Sequence, residues 1–323
     1  MGELTRIRGV VTAVLTPIDR QGNPDLERLQ RHIRQLERDG SNAVLVMGTT
    51  GEGPSFSVAE REDLLAAAIG AAGKMEVMAQ TGCASLADTI RLTRHAFDLG
   101  LRSVTIMPPF FFKGVSEDGL FAYYSQILDT AVPSWGRVML YHIPQVTQVP
   151  ISIRLVEMLL EKDETRITGI KDSAGDLDHL RVYCTLFPQL SIFTGNDQLI
   201  LEALKVGAAG CVTGVVNVFA AMAAEIIQAF SSGNPEAEDL QSQFTAVWKI
   251  LEHYQPYTTL LKALLALRYQ DAGWMSVRPP LDPMAQVRFE EMIAQLQRLD
   301  LPEMFNWIRQ ADLSRLELRE SVP

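Results

Sequence analysis

Short apolar segments rich in β-branched residues alternate along the chain with longer amphipathic segments. The apolar segments are too short for helices and are bounded by Gly, Pro or polar residues, so each predicts a buried strand. Eight strands are predicted, at 10–15, 43–47, 75–79, 103–107, 137–141, 167–170, 190–193 and 210–213. Between them, apolar residues recur every three or four positions, which is typical of a helix with one buried face.

Polar residues and glycines mark the ends of these helices. The first predicted helix begins at Asn23-Pro24, an N-cap and first-turn pair, and ends at Gly40. Ser57 with Glu60 has the spacing of a capping box at the start of the next helix. The strands are therefore separated by helices, and each strand with its helix has the size of a βα unit.

Eight βα units in series predict an α/β fold, a (β/α)8 TIM barrel with a C-terminal helical appendage. An open doubly wound sheet is the alternative, but its glycine-rich phosphate turn is missing after the first strand, where Thr16-Pro17 follows. A helix-breaking segment, Ser-Ser-Gly-Asn-Pro at 231–235, separates the predicted barrel, 1–231, from a helical region, 232–323. That region has helical patterns at 236–254, 257–270, 283–299 and 302–316, and no chemical motif of its own.

Composition and charge narrow the function classes. The 323-residue chain carries 29 Lys and Arg against 39 Asp and Glu, a formal net charge of −10, which is unfavourable for binding nucleic acid. Cys83, Cys184 and Cys211 lie far apart and show no metal-ligand spacing, so neither disulfides nor a metal is expected. The chain shows no signal peptide and no apolar run of about 18 residues, so we expect a cytoplasmic protein without membrane contact.

Lys171 is the strongest candidate for chemistry, because it is the one lysine that ends an apolar strand. Reactive side chains of α/β barrels lie just after the strands. A lysine pointing into a barrel mouth loses solvation, which favours the neutral amine that attacks ketones to give a Schiff base. The alternative is an ion pair with Asp172 or Asp197.

Three further strand ends carry candidates. The segment Gly48-Thr49-Thr50-Gly51-Glu52 has hydroxyls between glycines and is able to aim N–H groups at an anion, or it is a plain turn. Tyr141 is able to pass protons or is an ordinary buried tyrosine. His142 is either an acid/base or substrate-contacting residue, or it hydrogen-bonds the neighbouring loop.

Three motifs in this order, GTTGE at 48–52, YHIP at 141–144 and GIKDSAGD at 169–176, closely resemble the dihydrodipicolinate synthase/N-acetylneuraminate lyase family. GNDQ at 195–198 and GAAGCVTGVVNV at 207–218 support the resemblance, which runs from about Gly9 to about Leu299. Residues 301–323 match nothing expected of the family and resemble an extension.

The resemblance implies class I aldolase chemistry on pyruvate or another 2-keto acid, without metal or organic cofactor, in a homotetramer built as a dimer of dimers. It implies that Lys171 forms the imine, Tyr141 moves protons and Thr49 hydrogen-bonds that tyrosine. For substrate binding, the resemblance implies that Thr50 binds the carboxylate of the keto acid. It also implies that a main-chain group of Val212 contacts the keto acid. His142 and Gly195 are additional substrate-binding candidates from their places at strand ends.

Departures from the family pattern concern the second substrate. Phe111 falls where dihydrodipicolinate synthases usually have a tyrosine that is donated to the neighbouring subunit's proton relay, and no arginine lies among residues 145–147, shortly after the YHIP motif. We therefore predict a lyase, aldolase or dehydratase acting on a 2-keto-3-deoxy sugar acid. The alternatives are 4-hydroxy-tetrahydrodipicolinate synthase, which condenses pyruvate with aspartate semialdehyde, and a non-catalytic keto-acid sensor. A phosphate-binding barrel enzyme is disfavoured because no glycine-rich phosphate grip follows strands seven and eight.

Overall fold

Eight parallel strands close into a barrel in which each strand pairs with the next along the chain and β8 pairs with β1. The computed structural model describes residues 7–311 and residue 313. The barrel and the C-terminal helices confirm the predicted fold class. The strands are β1 Gly9–Ala13, β2 Ala43–Val46, β3 Glu76–Gln80, β4 Ser103–Ile106, β5 Arg137–His142, β6 Ile167–Asp172, β7 Ser191–Thr194 and β8 Gly210–Thr213.

Helices surround the barrel and continue beyond it. Around the strands lie α1 Leu26–Arg38, α2 Val58–Ile69, α3 Leu86–Asp98, α4 Glu117–Ala131, α5 Pro144–Thr147, α6 Ile153–Asp163, α7 Leu177–Leu186, α8 Ile200–Lys205 and α9 Val216–Ser231. After them come α10 Ala237–Leu251, α11 Tyr257–Tyr269, α12 Gln286–Leu296 and α13 Asn306–Arg309. None of the helices in the described part of the chain is long and apolar enough to cross a membrane.

Side chains alternate between the barrel interior and the helix layer, as the pleat of a strand requires. A compact interior cluster includes Val11, Leu45, Met78, Phe193 and Val212. The opposite strand faces, joined by the apolar stripes of the helices, form a much larger core. Both faces of each strand are therefore buried, which explains the continuous apolar runs in the sequence.

The C-terminal helices share a core with the barrel. Residues of α10, α11 and α12 form one apolar cluster with α9 and with Val10 of β1. Helix α11 is buried along most of its length, from Thr258 to Leu267. Its position brings the C-terminal region into contact with the barrel, while the division at residues 231 and 232 stays a prediction.

Two helix predictions are wrong in detail. Helix α1 is capped by Asp25, whose side chain accepts from the Arg28 N–H, whereas Pro24 forms a β-bridge with Ile18. The helix predicted at 302–316 is a short 3-10 turn followed by α13, and its residues 312 and 314–316 lie outside the described part. By contrast, the capping box of Ser57 with Glu60 is confirmed.

Candidate active site

Lys171 and Tyr141 form the centre of the site. They are direct partners in the register of β5 and β6, so both side chains point into the barrel mouth. The Lys171 Nζ lies 4.0 Å from the centroid of the Tyr141 ring, and the two residues are 4% and 2% exposed. No carboxylate of the described residues lies within ion-pair distance of this amine, and Asp172 pairs with His179 instead. The amine is thus free to meet a ligand.

The Tyr141 hydroxyl lies 3.3 Å from Thr49 Oγ1. Burial by itself raises the pKa of Tyr141, but the positive charge of Lys171 and hydrogen bonds with Thr49 and Ser173 outweigh it, so the pKa falls below its ordinary value. A phenol that gives up its proton more readily is a better proton-transfer group near neutral pH. Ser173 was missed in the sequence, although it lies two residues after Lys171 in the same motif.

The loop at 48–52 is held in an unusual backbone conformation. Met47, just before the loop, and Glu52, its last residue, adopt left-handed φ values of 64° and 58°. Within the part of the chain that the structure describes, the backbone N–H groups of Thr49, Thr50 and Gly51 donate no hydrogen bond to a protein acceptor. Three successive N–H groups without a protein acceptor form a binding place for an anion. Strained positions of this kind are concentrated at ligand-binding sites.

Two glycines create the space that the site needs. A Cβ at Gly214 would lie 2.7 Å from Thr50 Oγ1, so the absence of a side chain lets β8 approach the loop. A Cβ at Gly195 would lie 2.0 Å from Ser173 Oγ, so this glycine makes room for the serine beside Tyr141. Val212, also a candidate, is buried in the barrel interior next to Phe193.

Asp197 is a buried carboxyl near the same end of the barrel, 6% exposed. Burial raises its pKa to about 7, and this effect exceeds the opposing influence of Thr213 and of the Lys171 charge. This carboxyl therefore keeps its proton to a higher pH than an exposed aspartate does.

His142 does not join Lys171 and Tyr141. It pairs in register with Asp172, so it lies on the opposite face of β5 from Tyr141. Its Nδ1 accepts from the Ile151 N–H at 3.0 Å, and its ring stacks on His179, whose Nδ1 lies 2.8 Å from Asp172 Oδ2. Burial lowers the pKa of His142 to about 4. The ring hydrogen-bonds the neighbouring loop, as the alternative interpretation of His142 predicted, and substrate contact by His142 stays a prediction.

His142, Asp172 and His179 offer three ligand atoms within 4.8 Å of one another. Nδ1 of His142 already accepts a hydrogen bond from the Ile151 N–H. Nδ1 of His179 is hydrogen-bonded to Asp172 Oδ2. We interpret this cluster as a set of ring-stacking and hydrogen-bonding contacts between β5, β6 and α7.

The aromatic segment before α4 brings Phe110, and not Phe111, next to Tyr141 of the same chain. Phe110 packs with Met107, Tyr141 and Ile143, whereas Phe111 is 72% exposed. Neither phenylalanine has a hydroxyl, so the segment contributes apolar surface and no proton relay.

Comparison with known proteins gives a consistent result. The model of the dihydrodipicolinate synthetase family matches residues 6–299. A DapA-like lyase of Chloroflexus aurantiacus is 41% identical over 90% of this chain and 97% of its own. The 4-hydroxy-tetrahydrodipicolinate synthase 2 of Halalkalibacterium halodurans is 32% identical over 85% of this chain and 92% of its own.

Solved structures agree with these relatives. Dihydrodipicolinate synthase DapA-2 of Bacillus anthracis superimposes with a TM-score of 0.84 at 29% identity, over 93% of this chain and all of that one. YagE of E. coli, solved in complex with pyruvate, has the same fold with a TM-score of 0.84 at 23% identity, over 92% of this chain and all of that one.

Proposed function

Because the chain belongs to the dihydrodipicolinate synthetase family, we propose that it is a 2-keto-acid lyase or aldolase in which Lys171 forms a Schiff base with pyruvate or another 2-keto acid. One observation carries this assignment. An amine and a phenol, both buried, lie 4.0 Å apart from Nζ to ring centroid at the mouth of the barrel. The phenol beside the amine is suited to the proton transfers of imine formation and of the steps that follow it.

The reaction begins when the neutral Lys171 amine attacks C2 of the keto acid. The carbonyl oxygen takes up a proton to give a carbinolamine, which loses water and leaves a protonated imine. This imine accepts an electron pair from the adjacent carbon when that carbon loses a proton or a C–C bond breaks, and an enamine results. Tyr141 gives and receives the protons of carbinolamine formation and dehydration, and Thr49 orients its hydroxyl.

The loop at 48–52 binds the keto-acid carboxylate in this proposal. The Thr49, Thr50 and Gly51 N–H groups and the Thr50 hydroxyl are the donors, and they place C2 near the Lys171 amine. We assign the main chain of Val212 to the opposite side of the keto acid. Gly195 acts by leaving room for Ser173.

For the full substrate we propose a 2-keto-3-deoxy sugar acid. The exposed Phe111 cannot relay protons, and no arginine lies at 145–147, just after Pro144, to bind a second carboxylate. The specific alternative is 4-hydroxy-tetrahydrodipicolinate synthase, which the names of several relatives at about 30% identity favour. We further propose that the protein is cytoplasmic and forms a homotetramer, as a dimer of dimers.

Borohydride trapping tests the chemistry. Incubation with pyruvate and borohydride should leave a reduced pyruvyl adduct on Lys171, mapped by mass spectrometry. No adduct on folded protein, with pyruvate or with longer 2-keto acids, would refute the proposal. Pyruvate release from a panel of 2-keto-3-deoxy acids tests the substrate, and robust turnover of pyruvate with aspartate semialdehyde would favour the synthase instead.

A further inference from the structure

Helix α11, in the C-terminal region, contacts the carboxylate-binding loop at two points. Thr258 Oγ1 donates to the Thr50 carbonyl at 3.1 Å. One helical turn further, the Lys262 amine forms an ion pair with the carboxylate of Glu52, the last residue of the loop. No chemical motif marks this helix in the sequence, so the contacts were not predicted.

The ion pair is completely enclosed. The side chains of Lys262 and Glu52 are 0% and 2% exposed. The Lys262 amine also donates to the Ser276 carbonyl at 3.0 Å, and the other carboxylate oxygen of Glu52 accepts from the Arg278 N–H at 3.3 Å. Buried charges persist where partners satisfy them, and removal of one partner is strongly destabilising. The pair therefore fixes the end of the loop, where Glu52 has a left-handed backbone.

The Thr258 contact orients the loop amides directly. A peptide group is planar, so a hydroxyl that holds the Thr50 carbonyl also sets the direction of the Gly51 N–H, which points the opposite way. Thr16 Oγ1 holds the next carbonyl, that of Gly51, from the barrel side at 2.7 Å. Side chains from both regions thus hold consecutive peptide groups.

We propose that Thr258 and Lys262 are positioning residues for the keto-acid carboxylate, acting through the backbone of Thr50 and Glu52. The inference rests on the proposed function of that loop. It assigns the C-terminal region a part in substrate binding, because that region supplies the Thr258 and Lys262 contacts with the loop. Neither residue is a catalytic residue, since both act through the loop.

The test compares two neighbouring buried threonines. Thr258→Val removes the hydroxyl that reaches the loop, and Thr259→Val is the matched control, because its hydroxyl donates to the Asp282 carbonyl instead. Rates of borohydride trapping are measured against pyruvate concentration. Thr258→Val should raise the half-saturating concentration about 3- to 10-fold, the usual effect of one lost hydrogen bond, and leave the limiting rate little changed. Thr258→Ser should restore the wild-type value.

The outcomes separate this inference from the function on which it rests. No adduct in the wild-type protein would overturn both. An adduct on Lys171 with equal half-saturating concentrations for the wild type and Thr258→Val, or an equal rise in Thr259→Val, would overturn the inference alone. The double variant Glu52→Gln/Lys262→Met removes both charges together and avoids an unpaired buried charge. It should also raise the half-saturating concentration, and an unchanged value would overturn the part assigned to Lys262.

Discussion

Gly214→Ala should weaken keto-acid binding without disturbing the fold. The new Cβ would lie 2.7 Å from Thr50 Oγ1 and 2.9 Å from Thr50 Cγ2, so the threonine has to withdraw by about 0.7 Å to reach ordinary contact at 3.4 Å. Gly214 has no positive φ, so alanine suits its backbone. The strain therefore falls on the side chain that we assign to the carboxylate.

The magnitude follows from this overlap. Overpacking of a well-packed site costs about 1–3 kcal/mol, and movement of one flexible side chain lies at the lower end. A loss of about 1–2 kcal/mol in binding raises the half-saturating pyruvate concentration about 5- to 30-fold. The assay is the concentration dependence of borohydride trapping, with the melting temperature recorded in parallel.

Gly70→Ala is the control, because its Cβ would have no neighbour closer than 3.7 Å and the residue lies in helical geometry at the end of α2. It should leave trapping unchanged. A half-saturating concentration within twofold of the wild type for folded Gly214→Ala would refute the assignment of Thr50 to the carboxylate. A fall in the limiting rate alone would refute it as well.

Three further predictions follow from the site. Lys171→Ala should abolish the borohydride adduct, whereas Lys249→Ala, at an exposed lysine, should keep it, and mass spectrometry distinguishes the two. Tyr141→Phe should slow adduct formation about 100-fold, the usual loss for one acid–base group, and a change below threefold would contradict its proposed role. His142 has its pKa lowered to about 4, so it binds its proton more weakly when folded, and stability is lost as pH falls from about 6.5 towards 4. His142→Asn should flatten this slope of the unfolding free energy by up to about 1.4 kcal/mol per pH unit, whereas exposed His253→Asn should not.

The secondary structure was largely predictable because parallel strands of a barrel are buried on both faces. Continuous apolar runs therefore mark all eight strands, and β8 was predicted at its observed bounds. Lys171 stood out for the same reason, since a charged side chain at the end of such an apolar run is unusual and lies where barrels carry their reactive groups. The first residue of a helix was harder to predict, because Asn23, Pro24 and Asp25 are all acceptable near an N-cap. The β-bridge between Ile18 and Pro24 keeps Pro24 outside the helix and leaves Asp25 as the N-cap.

The tertiary structure decided which of these residues meet. Adjacent strand residues point to opposite faces, so the register of β5 with β6 places Tyr141 beside Lys171 and sends His142 to the outer network. Phe110 and Phe111 are equivalent as apolar residues in the sequence, and only the loop geometry brings Phe110 to Tyr141.

The contact of Thr258 with Thr50 spans 208 residues of sequence. The local pattern of apolar and polar residues shows the period of a strand or a helix, but it does not show how distant elements pack together. The sequence by itself therefore determined the barrel and its candidate lysine, Lys171. Only the packing of α11 against the barrel decided what holds the loop beside that lysine.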